Sequence, residues 1–276
     1  MRRAYFDLIG LPPTPEEADA FVNDDDPEAY AKLLDRLLAS KHHGERVGRH
    51  WLDLARFAES HGFEQDYDRP HAYHYRDFVI KAFNADMPFD QFAIEQLAGD
   101  ELLTPPYKNL TPEQADKLVA TGFLRMAPDG TGVGGVEQDI ARNDVMAKTI
   151  QIVSTSMLGL TVGCAQCHNH RYDPISHEDY HAIRAVFEPS LDWKNWLAPA
   201  KRRVSLYTDA DRAKSAEIEA EAKKILDERT KKQNEYIEAT FQRELAKLQE
   251  SLREPITVAR NTADKKRTAE QKSLLK

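Results

Sequence analysis

The string Thr14-Pro15-Glu16-Glu17 and its near repeat Thr111-Pro112-Glu113-Gln114 limit what this chain can fold into more than any other feature. Each places a hydroxyl that accepts from the N–H three residues on and an acid or amide that reaches back. The proline between them has no N–H to lose in a first helical turn, so each string predicts a helix start. Between the two, apolar residues recur at threes and fours: Leu33, Leu34, Leu37 and Leu38, then Trp51, Leu54 and Ala55, then Phe78, Val79 and Phe83, then Phe92, Ile94 and Leu97. That spacing marks the buried faces of amphipathic helices. A further apolar helix is expected over about residues 139–160, and a short one from Ser176, with Asp179 three residues on, to about Phe187. Strand signals are scarce, so the fold class is mainly α. A single globular helical domain is expected over residues 1–200.

The chain changes in kind after Leu191. Trp193, Trp196 and Pro199 lead into the basic run Lys201-Arg202-Arg203, which reads as a boundary. From about 209 to 254 the composition is Ala, Glu, Lys, Leu and Gln, with Ile218, Ile225, Ile237, Phe241, Leu245 and Leu248 at threes, fours and sevens, the pattern of a long surface helix or coiled-coil-like hairpin. Residues 201–276 are therefore a helical spacer and a polar tail, and 261–276 are expected to lack structure.

Charge and hydropathy exclude some functions. With 38 Lys and Arg against 46 Asp and Glu, interleaved, the 276 residues carry a net charge of −8 and lack the concentrated basic surface a nucleic-acid binder needs. The most apolar stretch, 150–162, is too short for a membrane span and contains Ser154, Thr155 and Ser156. The segment from Asp129 to Val136 is glycine-rich but lacks the Lys-Ser/Thr of a phosphate loop, so a flexible loop is expected. The acidic clusters at 24–26 and 64–68 lack an EF-hand spacing and read as solvated loops.

Chemistry concentrates in one place. The only two cysteines stand in Cys164-Ala165-Gln166-Cys167-His168, the C-x-x-C-H arrangement to which haem is covalently attached. Two thiols three residues apart reach two vinyl groups on one porphyrin edge, and the next imidazole becomes the axial ligand, so Cys164, Cys167 and His168 are the candidate haem c residues. Alternatives stay open on the residues alone. Cys164, Cys167, His168 and His170 suit a tetrahedral zinc or a non-haem iron site; the thiols could form a redox disulfide, or simply be buried.

All five methionines lie upstream of the motif, so a sixth haem ligand must be an upstream Met, a histidine, or absent. His170 is too close to His168 to reach the opposite face of the ring. His50, in Arg49-His50-Trp51-Leu52-Asp53, could do so if its helix packs over the haem, and otherwise is a core histidine. His177, His181 and Met157 are weaker candidates. In His170-Arg171-Tyr172-Asp173-Pro174-Ile175, Arg171 could pair with a propionate and Asp173 could orient a ring N–H, or the segment is a turn ahead of a helix.

Several blocks together resemble a known family. Tyr5-Phe6-Asp7-Leu8-Ile9-Gly10-Leu11-Pro12-Pro13, Arg49-His50-Trp51-Leu52-Asp53, Asn84-Ala85-Asp86-Met87-Pro88-Phe89-Asp90 and Cys164-Ala165-Gln166-Cys167-His168-Asn169-His170 are similar to the second module of the planctomycete cytochrome-like family, a domain of unknown function, over about residues 2–190. The family is named for its C-x-x-C-H motif. Its members are large exported proteins with an upstream cytochrome-type module and a downstream module reached through a helical spacer. The resemblance implies that this chain begins inside the family's first block, that a piece with the export signal precedes it, and that 209–254 is the spacer. It favours His50, His170 and Asp173, which fall in family blocks, over His74, His177, His181 and Met157.

The expectation is a c-type-haem electron-transfer module of a larger periplasmic or otherwise exported protein, whose partner is a redox protein or a neighbouring module of the same polypeptide. The rivals are a haem or non-haem metal oxidoreductase acting on an extracellular, possibly carbohydrate, substrate, with an open position near His50 or His170, and a zinc-binding structural module.

Overall fold

A computed structural model describes residues 1–62 and 66–275. Of the acidic cluster at 64–68, Glu64 lies outside the described residues. The chain is 65% helical, and among the described residues there are twelve α-helices and no strands, a mainly α fold. It divides into two compact units, Met1–Leu206 and Tyr207–Lys276.

In the first unit, α1 (Arg2–Leu8), α2 (Pro15–Val22) and α3 (Ala29–Leu38) form a small N-terminal layer in which Tyr5 packs on Leu33 and Leu37. Thr14 closes a reciprocal cap with Glu17 at the start of α2. Arg36 of α3 then ties Glu17 to the Tyr5 hydroxyl, at 2.8 and 2.7 Å.

The main core lies among α4 (Lys41–Ala55), α5 (Tyr73–Asn84), α6 (Phe89–Ala98), α7 (Pro112–Ala120) and the 3₁₀ turn Thr121–Arg125. Trp51, Phe78, Phe92 and Phe123 are all buried, with the Trp51 and Phe92 rings 5.0 Å apart at 69°. One polar cluster sits among them. The Trp51 indole N–H lies 3.0 Å from both the Tyr75 hydroxyl and Gln96 Oε1, Tyr75 donates to Gln96 Oε1 at 2.6 Å, and Gln96 Nε2 donates to the Phe92 carbonyl. Every buried polar atom of the cluster is thereby paired, as an apolar surrounding demands. Burial pushes the Tyr75 phenol well above its ordinary value, so the hydroxyl remains a donor. Helices α4 and α5 approach closely at Gly44, whose N–H donates to Asn84 Oδ1 at 2.8 Å and where a Cβ would stand 2.4 Å from the Ile80 carbonyl oxygen.

Helix α8 (Gln138–Val153) runs on through a π turn, Ser154–Leu158, to Gly159 in the left-handed region at φ 67°. Helix α9 (His177–Leu191) starts at Ser176, which closes a reciprocal cap with Asp179. It continues one turn beyond Phe187. Ahead of α8, the glycine-rich segment forms a loop whose first residues are pinned: Asp129 is buried, takes the Thr131 N–H at 2.9 Å, and meets Arg202 at 2.7 Å. Arg202, from the basic run, therefore turns inward, with its guanidinium 4.9 Å from the Trp196 ring centre.

In the second unit, α10 (Asp209–Leu245) spans 37 residues with none buried. It ends where the Arg253 guanidinium bonds the carbonyls of Ala246 and Leu248, short of the helix expected to 254. Helix α11 (Glu250–Asn261) follows, and Arg260 reaches back to Glu238 at 2.8 Å with its guanidinium 3.9 Å from the Phe241 ring centre. The polar tail is structured where it was expected not to be, because Thr268 and Gln271 cap α12 (Ala269–Leu274) and Arg267 bonds the carbonyls of Ala259 and Arg260. Among the described residues no helix is long and apolar enough to cross a membrane.

Candidate functional site

The C-x-x-C-H motif is built on a 3₁₀ turn, Val162–Gln166, held between α8 and α9. With three residues per turn, positions three apart stack on one face. Val162 and Ala165 therefore point inward together, both buried with Ile150 of α8 and Tyr180 of α9. Cys164 in the turn and Cys167 at its C-cap are both exposed, and neither is in a disulfide. Beside Cys164 lies a groove of about 370 Å³ whose walls include Asp144, Lys148, Gln151 and Thr161.

His168 follows the turn and is exposed. Its Nδ1 stands 2.7 Å from the Asn169 carbonyl oxygen, which only accepts, so the ring proton sits on Nδ1 and the Nε2 lone pair is free for a ligand. Metal-bound histidines typically carry a carbonyl in this position.

His170 is engaged differently. Its side chain is 7% exposed. Its Nδ1 accepts from the Asp173 N–H at 2.9 Å, so the proton is on Nε2, which faces Thr161 Oγ1 at 3.4 Å. The backbone N–H of His170 donates to the Ile175 carbonyl at 2.8 Å. His170 thus staples the loop between the turn and α9. Asp173, 3.3 Å from His170 Nδ1, belongs to the same staple and does not orient His168. Arg171 is exposed, its guanidinium 5.7 Å from the Tyr172 ring centre. His50 is exposed on α4, and Met157 packs against the main core. Among the described residues no group of three or more His, Cys, Asp or Glu is arranged to hold a metal, so Cys164, Cys167, His168 and His170, with or without His50, do not form the tetrahedral cluster that their spacing allowed.

Two of the residues given less weight in the sequence, His177 and His181, stand beside the motif. His177 lies first in α9, its backbone N–H donating to Asn169 Oδ1 at 2.9 Å and its Nε2 3.0 Å from the Gln166 carbonyl oxygen. His181 follows one turn later, with its Nε2 3.1 Å from that of His177. Their signal was present as His177-Glu178-Asp179-Tyr180-His181, a spacing that puts two imidazoles on one helical face. Between them the Tyr180 phenol is raised above its ordinary value by burial, with Arg184 pulling it down and Cys167 adding a smaller upward push.

The residue types suit covalent haem: two exposed, unbridged thiols and an imidazole whose tautomer leaves Nε2 for iron. No curated protein and no solved structure matches the chain. Residues 1–192 match the model of the family PSCyt2, "Protein of unknown function (DUF1549)", a match over well more than half of the chain, and the chain belongs to that family.

Proposed function

We propose that the domain carries one c-type haem on Cys164 and Cys167, with His168 as axial ligand, and serves electron transfer in a larger exported protein. The observation that carries this reading is the His168 ring: its Nδ1–H is spent on the Asn169 carbonyl at 2.7 Å while Nε2 stays free, in a motif whose two thiols are exposed. When bound, haem supplies one-electron redox chemistry at a potential set by its ligands and surroundings. This chain's own residues do the rest. Cys164 and Cys167 would form the thioethers, and the Asn169 carbonyl holds the His168 tautomer and raises the basicity of Nε2. Lys148 in the groove and Arg171 at the surface offer cations for the two propionates. The electron partner is a redox protein or a neighbouring module of the same polypeptide. Covalent haem is attached outside the cytoplasm, so the reading places the working protein in the periplasm or beyond.

The test is expression in a host with periplasmic haem-attachment machinery, followed by a denaturing gel stained for haem, beside the Cys164→Ala plus Cys167→Ala variant and with metal analysis of both. A stained band that disappears in the variant is expected. An unstained band, with zinc or iron bound or with no metal at all, overturns the haem reading.

A further inference from the structure

We infer that His177 and His181 form a second site, a surface chelate for one imidazole-preferring divalent cation of the zinc and nickel class, completed by the Gln166 carbonyl. Three donor atoms stand in a row there, with His177 Nε2 in the middle. The two Nε2 atoms are 3.1 Å apart, and the Gln166 oxygen is 3.0 Å from the nearer of them. Two nitrogens bound to one zinc at about 2.0–2.1 Å stand about 2.9 Å apart at a right angle and about 3.4 Å apart at the tetrahedral angle. The observed spacing lies between those limits, so one ion bridges the pair without a change of helix geometry.

The proton count agrees. The Gln166 carbonyl only accepts, so His177 Nε2 carries the proton, and the same proton faces the lone pair of His181 Nε2. One hydrogen is shared by two acceptors. A cation in its place meets lone pairs from all three groups once His177 moves its ring proton to Nδ1. Backbone carbonyl oxygen and imidazole together suit late first-row divalent ions, and water fills the remaining positions on this exposed face.

The protein has arranged the pair to stay together. Tyr180, buried between the two histidines in sequence, locks that turn of α9 against Val162 and Ala165, and the His181 ring stands edge-on to it at 5.2 Å. The His177 N–H on Asn169 and the Ser176–Asp179 cap fix the first turn. Glu178 and Asp179 in that turn offset the positive end of the helix, which would otherwise repel a cation. What is inferred is cation binding alone, and the two cysteines take no part in it.

The experiment uses the full chain without an affinity tag and with Cys164→Ser plus Cys167→Ser, so that neither haem nor thiolate competes, titrated with Zn²⁺ alone by calorimetry. One equivalent is expected to bind with a Kd below about 100 μM, as two fixed imidazoles allow. His177→Gln, which keeps the backbone N–H on Asn169, and His181→Gln are each expected to weaken binding at least about tenfold, whereas His71→Gln leaves it unchanged. Helical circular dichroism checks that each variant folds. Zinc binding unaffected by either α9 substitution, or no binding at about 1 mM Zn²⁺, overturns the inference. Because the thiols are absent, neither outcome bears on haem attachment.

Discussion

One carboxylate in this protein answers for several cations. Asp129 is 4% exposed at its side chain and Arg202 is 16%, and they meet at 2.7 Å. Arg69 and Arg125 also feel the charge of Asp129, and Arg125 is lowered to about 10, chiefly by burial and then by Arg202, with Asp129 drawing it back up. Removing one member of a buried pair leaves an uncompensated charge, which costs about 3–5 kcal/mol. Asp129→Ala is therefore expected to lower unfolding free energy by about 3 kcal/mol in a denaturant titration, and adding Arg202→Met to restore only part of it, because Arg69 and Arg125 still lack their counter-charge. A milder loss is expected at Gln96→Leu, which strips an acceptor from the buried Trp51 N–H and Tyr75 hydroxyl and should cost about 2 kcal/mol. The Asp129 network was not legible in the sequence. Its halves are 73 positions apart, and Arg202 stands in a basic run that locally resembles any solvated boundary. The C-x-x-C-H motif stands out in the sequence because it is a local pattern, but the difference between His168 and His170 was not legible there. Which ring nitrogen is free depends on a carbonyl and an N–H whose positions only the folded loop fixes.

The helices begin where their caps say. The boxes at Thr14, Thr111 and Ser176 were readable because each is closed within four residues, as are those at Thr208 and Thr268. Their acids lie below ordinary values, Glu17 and Asp179 chiefly because backbone N–H groups donate to them. Such a group contributes stability above its unfolded value, 3.8 for Asp and 4.5 for Glu, and loses it as pH falls through the lower folded value. The helical signal should therefore hold from neutrality to about pH 5 and fall progressively below 4, and an Asp179→Asn chain followed by circular dichroism should show a smaller acid-induced loss. Helix ends set by partners elsewhere were less readable, as the stop of α10 under Arg253 shows. So was the contact of α4 with α5. At Gly44 any Cβ meets a backbone oxygen, so Gly44→Ala should cost about 1–3 kcal/mol and lower the melting temperature, although alanine is the better helix former.

Across the whole molecule, stability is unevenly distributed. The first unit contains three clusters of buried apolar residues, while α10 buries none of its 37 residues. Helices draw most of their persistence from packing rather than propensity. Hydrogen exchange should accordingly show amides of α4 and α5 protected by orders of magnitude more than those in the middle of α10, and uniform protection would contradict this division. A mainly α architecture was legible because periodicity and caps repeat along the chain. The placing of the site was not, since it depends on Val162 and Ala165 finding Ile150 and Tyr180.

That last arrangement bears on what can reach the two sulfurs. The turn that buries Val162 and Ala165 completes the core while leaving both sulfurs outside it. A reagent that attacks sulfur therefore needs no unfolding of the domain to reach either cysteine. The same display leaves the two thiols open to oxidation wherever an oxidant meets them, while the apolar side chains of the same turn stay sheltered.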